Sequence, residues 1–498
     1  MTIYYVITSV QEYSNELAEL VRAFYPGRTV KTGVTGLEDL SPKNTVFRFM
    51  FQTLGDEVII KIEFSKGMDN AEFFTKTYKL ESNISQIEKR RTIKNYMKLM
   101  LYDILVDDTG RCLDWGALTG VRPTKIVHGY MEEGLDKQEV LKRLYRNYRV
   151  NQKKAELLYS IAEIQRPFFE DNHPNKVSIY INIPICPTKC LFCSFPSATM
   201  DRCKDLVDGY LTALEREMEA MAAFARDKGI EIETVYIGGG TPTSLDIDQL
   251  DRVLESIRKH WGWSPWKEYT VEGGRPDTMT EDKLKLLKGH DVTRISVNPQ
   301  TMNDKTLKLI GRNHSSDEIV ECFYKARDIG FDCINMDIIV GLPGEGLEDG
   351  HHTMESVKRL VPDNLTVHTL AIKRASRLKD SLFEYQLMDE KLATGMMDIF
   401  YGGAASMGMR PYYLYRQKYM LGNMENVGFA IPGKESIYNM QIMEDRQTIW
   451  AFGAAAITKA VYPVMGRIER AANVKNIEDY INRVDEMVER KLRLCSYS

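Results

Sequence analysis

The stretch IPICPTKCLFCSF, residues 183–195, holds Cys186, Cys190 and Cys193, three of only eight cysteines in a chain of 498 residues. Thiolates at CxxxCxxC spacing in a loop can converge on one metal centre, because a loop turns its side chains inward where a strand would alternate them. Structural zinc normally takes four protein ligands, and no fourth cysteine or histidine lies in this loop, so a closed zinc site is the weaker reading. A [4Fe–4S] cluster ordinarily takes four cysteines, so three would leave one iron open and reactive. The plain alternative is three buried, inert thiols. Cys112, Cys203, Cys322, Cys333 and Cys495 lie singly and at irregular spacing, which argues against a disulfide framework and for a reducing compartment.

Further residues of chemical interest recur at intervals along the middle of the chain. IGGGTPTSL at 237–245 brings Gly239, Gly240 and Thr241 to a turn where backbone can approach a ligand closely, although any tight strand-to-helix turn has the same need. Glu272 in VEGGRPDT is either a ligand carboxylate or half of an ion pair with Arg275. Gln300 follows in RISVNPQ. Arg312 in LIGRNH is either an anion-binding fork or a charge at a helix C-terminus. Asp337 sits inside the apolar run INMDIIVGLP and calls for a ligand or a basic partner, since an unpaired buried acid is costly.

The elements that must position these residues follow one pattern. From 177 onward, short β-branched runs alternate with amphipathic helical stretches: VSIYINIP, TVYIGGG, YTVEGG, VTRISVNPQ, CINMDIIVGLP and LTVHTLAI. Successive βα units require parallel strands joined by crossover helices, and six units fall short of a closed eightfold barrel. An α/β fold with an open, partial (β/α)6 barrel over 177–380 is therefore expected, its chemistry at the strand C-terminal ends. Residues 1–105 read as a small α+β domain, 106–176 as a helical connector and linker, and 381–498 as a mostly helical, loop-bearing region covering the barrel mouth.

Net charge is −4, with basic residues dispersed among acids, so no nucleic-acid partner is expected. No window approaches the roughly 18 apolar residues of a membrane span, and the first residues lack a signal-peptide pattern, so a cytoplasmic location is expected.

The cysteine motif after the first barrel strand resembles the radical S-adenosylmethionine (SAM) superfamily. Within it, SIYINIPICPTKCLFCSF is similar to the oxygen-independent coproporphyrinogen III oxidases, including Tyr180 before the first cysteine and Phe192 before the third. TGVRPTKI, RQKYMLGNMENVGFA and GKESIYNM resemble the coproporphyrinogen dehydrogenases of the HemZ type. The resemblance implies a [4Fe–4S] cluster on Cys186, Cys190 and Cys193, with SAM, one or two molecules, on its open iron. Cofactor contacts then fall to Tyr180, Phe192, Gly239, Gly240, Thr241, Glu272, Gln300, Arg312, Asp337 and Ala371. It also implies a tetrapyrrole substrate, a reducing donor such as flavodoxin or ferredoxin, a monomeric chain, and conversion of two propionates of coproporphyrinogen III to vinyl groups. For the substrate carboxylates the candidate cations are Arg122, Lys125, Arg374, Arg416 and Lys418, and Tyr412, Tyr413, Tyr415 and Tyr419 are candidates to pack the macrocycle. Related proteins include haem chaperones, whose HNxxYW motif is replaced here by GNMENVGF, and anaerobic haem-opening methyltransferases.

Overall fold

The computed structural model describes residues 2–33, 43–67, 71–81, 84–120, 122–264, 266–373, 376–380, 385, 388–418 and 420–496. The chain divides into two compact units, Met1–Ser160 and Ile161–Ser498.

In the first unit, β1 (Ile3–Thr8), β2 (Thr29–Gly33), β3 (Thr45–Leu54), β4 (Glu57–Lys66) and β5 (Ala71–Lys79) form a sheet of order β2-β1-β3-β4-β5. The alternating pattern of β4 turns Val58, Ile60 and Ile62 inward, where they meet Leu17 and Val21 of helix Gln11–Phe24 and Met97 and Leu101 of helix Gln86–Thr109. The second of these helices starts on a Ser85–Glu88 capping box and stops at Gly110, whose φ of +66° suits glycine. Helices Thr124–Glu132, Lys137–Tyr148 and Gln152–Phe169 follow.

The second unit is built on one large sheet. Its strands are β6 (Lys176–Ile183), β9 (Glu231–Gly239), β10 (Glu268–Glu272), β11 (Arg294–Ser296), β12 (Ile334–Val340) and β13 (Asn364–Thr369), with the two-residue pair β7 (Ile185–Cys186) and β8 (Ala198–Thr199) between the first two. The six long strands are parallel and adjacent in chain order, the arrangement of an open (β/α)6 barrel. Burial on both faces explains why they read as continuous apolar runs: all but one residue of β6 is buried. Crossover helices such as Val207–Lys228, ended by Gly229, and Ile247–Trp261, begun by an Asp246–Gln249 capping box, return the chain to the next strand.

The region after 380, read as mostly helix and loop, also supplies five strands. These are β14 (Arg410–Tyr415), β15 (Asn426–Ala430), β16 (Thr448–Phe452), β17 (Ile457–Tyr462) and β18 (Arg467–Ala472), and they widen the sheet to the order β14-β15-β13-β12-β11-β10-β9-β6-β16-β17-β18. NVGFA is buried at every position, so it has no period-2 alternation to betray a strand.

The C-terminal helix Val484–Cys495 is fastened to helix Val207–Lys228 by a fully buried ion pair, Lys491–Glu217. The Glu217 carboxylate also accepts hydrogen bonds from Gly453 N (2.8 Å), Asn473 Nδ2 (2.8 Å) and the Tyr480 hydroxyl (2.7 Å), so its lone pairs are well used. Removing one member of such a pair strands the other charge in the interior. Lys491→Met is expected to lower the stability of this unit by about 3–5 kcal/mol in urea unfolding, and Glu217→Gln added to it should cost less than the two single changes summed.

Candidate active site

All thirteen site residues expected from the sequence line a single cavity of about 650 Å³ at the C-terminal ends of the barrel strands. Cys186 lies on β7, immediately after β6, and Cys190 and Cys193 lie in the loop that follows. The loop is held from two sides: Leu191 N donates to Ile310 O (3.0 Å) and Thr188 Oγ1 to Gly311 O (3.2 Å), while Leu378 N donates to Leu191 O (2.9 Å). From the third side, Arg275 Nη1 reaches Thr188 O (3.2 Å) and Oγ1 (2.7 Å).

The glycine turn after β9 packs backbone to backbone against this strand. Gly240 N donates to Ile183 O (2.8 Å) and Thr241 N to Ile185 O (2.7 Å). A Cβ on Gly240 would stand 2.5 Å from Ile185 O, and one on Gly239, whose φ is +109°, 2.0 Å from Asn182 Oδ1. Glycine is therefore required by contact as well as by conformation. Thr241 turns its hydroxyl to Cys186 Sγ at 3.7 Å. Burial raises the Cys186 and Cys193 thiols above their ordinary pKa. The three sulfurs are not gathered within 4.8 Å of one another, as Asp251, Glu255 and His290 gather their ligand atoms elsewhere among the described residues. A single tetrahedral ion with bonds of about 2.3 Å would draw thiolates to about 3.8 Å apart, whereas a cubane engages each thiolate at a separate corner.

Each remaining strand end contributes one or two polar groups. Glu272, ending β10, accepts the Tyr236 hydroxyl at 2.6 Å; burial, reinforced by the charge of Asp337, raises its carboxyl to about 7. Its expected ion-pair partner is engaged elsewhere: Arg275 faces Asp277 at 3.3 Å and clamps Thr188. Gln300 holds a φ of +67°, rare for a residue with a side chain, and is fixed there by Gln300 N to Asp337 O and Ile339 N to Gln300 O, both 2.9 Å. Arg312 is buried three residues beyond the short helix Asp304–Leu309 and donates to Asn298 O and Gly274 O, leaving its Nε without a partner. Burial lowers its pKa.

Asp337 receives Asn335 Nδ2 at 2.8 Å and faces His368 Nε2 at 3.7 Å. Burial works against its charge, but these partners prevail and hold its carboxyl below the ordinary value. His368 Nδ1 in turn lies 3.3 Å from the Tyr415 hydroxyl. Ala371 forms a bridge with Met420 just past β13. Tyr180 donates to Asn182 Oδ1 at 3.1 Å, and its ring belongs to a stack with Tyr438 and Tyr236.

Several lining groups were missed in the sequence: Asn182, Lys189, Tyr236, His368, Lys373 and Tyr438. Tyr236 sits one strand period before Gly238 on β9, a signal that could have found it; Asn182 and Lys373 are isolated polar residues with none. Of the tyrosine tract, Tyr413 and Tyr415 line the cavity and Tyr412 does not; Tyr419 lies outside the described residues. Among the expected substrate cations, Arg374 also lies outside them. Arg416 is buried and donates to Asn423 O (3.0 Å) and Oδ1 (2.6 Å), so it fixes the turn between β14 and β15 rather than lining the cavity. Arg122, Lys125 and Lys418 are not lining residues either.

Residues 180–357 match the family described as the radical SAM superfamily. The chain is 37% identical over 431 residues, 86% of each chain, to the oxygen-independent coproporphyrinogen-III oxidase-like protein HemZ of Bacillus subtilis (strain 168). It is 30% identical over 312 residues to the heme chaperone HemW of the same organism, covering 62% of this chain and 76% of that one. Among solved structures, coproporphyrinogen III oxidase (HemN) from Escherichia coli aligns with a TM-score of 0.52 and 24% identity, over 66% of this chain and 73% of that one, a likeness of fold.

Glu272 favours its neutral form when folded, so its contribution opposes folding as pH rises from the ordinary carboxylate range through about 7. Glu272→Gln should leave the metal-free protein unchanged in urea stability near pH 4 and stabilise it by up to about 3 kcal/mol at pH 8.

Proposed function

The chain belongs to the radical SAM superfamily, in its oxygen-independent coproporphyrinogen III oxidase-like branch, and from that premise we propose that it oxidatively decarboxylates coproporphyrinogen III propionates to vinyl groups, giving protoporphyrinogen IX. The observation that carries the reading is the meeting, in one cavity, of the three cysteines, a buried guanidinium and several tyrosines.

The residues fit the cofactors. Cys186, Cys190 and Cys193 would hold a [4Fe–4S] cluster by three corners, and the unpartnered Nε of buried Arg312 is a donor suited to the SAM carboxylate. Gly239, Gly240 and Thr241 line the cavity and would face the amino acid end of SAM, and Glu272, Gln300 and Asp337 present polar atoms to a ribose. When bound, cluster and SAM would supply hydrogen-atom abstraction at the propionate β-carbon, after which the substrate would lose CO₂ and pass one electron to an external one-electron acceptor. The protein's own share is placement and exclusion of water: Tyr180, Tyr236 and Tyr438 form a stacked surface, and the Tyr415–His368–Asp337 chain fixes another part of the lining. A reducing protein such as flavodoxin or ferredoxin would supply the initiating electron.

The likeness to HemW makes haem binding without turnover a second reading. His368, the one histidine lining the cavity, has Asp337 at one ring nitrogen and Tyr415 at the other, so neither is directed to an iron.

Anaerobic incubation of reconstituted protein with SAM, dithionite and coproporphyrinogen III decides among the readings. CO₂ and vinyl porphyrinogen are expected; intact bound haem would favour the chaperone, and a methylated linear tetrapyrrole the methyltransferase. Cys190→Ser should abolish the brown cluster absorbance and all SAM cleavage.

A further inference from the structure

The cavity carries its charges unevenly. Both carboxylates that line it have partners, Tyr236 for Glu272 and Asn335 with His368 for Asp337. Four cations line the side nearest the cysteines: Lys189, Arg275, Arg312 and Lys373. Arg275 is engaged with Thr188 and Asp277, and Arg312 is the donor assigned above to the cofactor carboxylate. Two lysines are left over.

Lys189 comes from the cysteine loop and Lys373 from the segment two residues past Ala371. Both are half-buried, and among the described residues neither ammonium has a carboxylate or hydrogen-bond acceptor against it. The charge that each does face is the Cys193 sulfur; a partly desolvated ammonium without a carboxylate partner is unfavourable, and an anion entering the cavity relieves that cost. A substrate carboxylate has few other places to go, because the other lining groups include Glu272, Asp337 and tyrosines, which would repel it or offer only neutral donors.

We propose that Lys373, assisted by Lys189, docks the carboxylate of the substrate arm that reacts. This rests on the tetrapyrrole reading and names the contact that orients the substrate within it. The propionate is then held on the cysteine side, beside the Ala371 segment, while the ring lies against the stacked tyrosines. An ammonium suits the task better than a guanidinium fork: it holds a carboxylate as a point charge, and neutral CO₂ has no comparable attraction to it, so the arm is released once decarboxylated.

The test is a titration of anaerobically reconstituted holoenzyme, with SAM, by coproporphyrin III and by its tetramethyl ester, followed by the shift of the porphyrin absorbance. Iron content and cluster absorbance establish that each variant is loaded. The free acid should bind at least tenfold more tightly than the ester. Lys373→Gln should lose at least tenfold in affinity for the acid and none for the ester, Lys373→Arg should recover most of the loss, and Lys189→Gln should show a smaller loss confined to the acid. Undiminished binding of the acid by Lys373→Gln, including a result in which only the cluster's reduction potential moves, overturns the proposal and leaves the tetrapyrrole reading standing. Failure of the unmodified holoenzyme to bind coproporphyrin III overturns both.

Discussion

The site depends on a close approach of main chain to main chain, where the turn at Gly239–Thr241 lies against residues 183–185 with no space for a Cβ. Those two hydrogen bonds fix Cys186 relative to the strand ends, and the loop carrying Cys190 and Cys193 is then tied at Thr188 and Leu191 to neighbouring segments. Because several of these ties use backbone groups, the loop that carries the thiols is held to its neighbours largely by main-chain contacts.

A second constraint is electrostatic. The six parallel strands end in a cavity lined by both acids and cations, and burial acts on both. It leaves Glu272 poised near neutrality, while Asp337 stays ionised because His368 and Asn335 outweigh its desolvation. Two carboxylates in one cavity thus sit in different protonation regimes, a difference set by their hydrogen-bond partners. A cofactor that is cationic at sulfur and zwitterionic at its amino acid end matches this division.

The barrel was legible because parallel strands buried on both faces read as apolar runs closed by glycine or proline, and because their C-terminal ends carry the polar residues. That rule, together with the family resemblance, pointed to Glu272 and Gln300, and Asp337 stood out as an acid inside an apolar strand; all three line the same cavity as the cysteines. It failed after 380, where short strands such as NVGFA are buried throughout and carry no alternation. It also failed for single polar residues whose role lies in what faces them: His368 matters through Asp337 and Tyr415, and Arg416, similar in kind to a substrate cation, is taken up by Asn423. The Glu217–Lys491 pair, far separated in sequence, left no local signal at all.

The strand that leads into the cysteines is bordered by β9 on one side and by β16 on the other, with Val177 paired to Thr448. A nascent chain emerging from the ribosome therefore exposes an unpaired edge beside the cysteine loop until about 270 further residues have been made. Contacts of such high sequence separation form slowly. The strand that leads into the cysteines thus gains its second neighbour only once the chain through Phe452 is available.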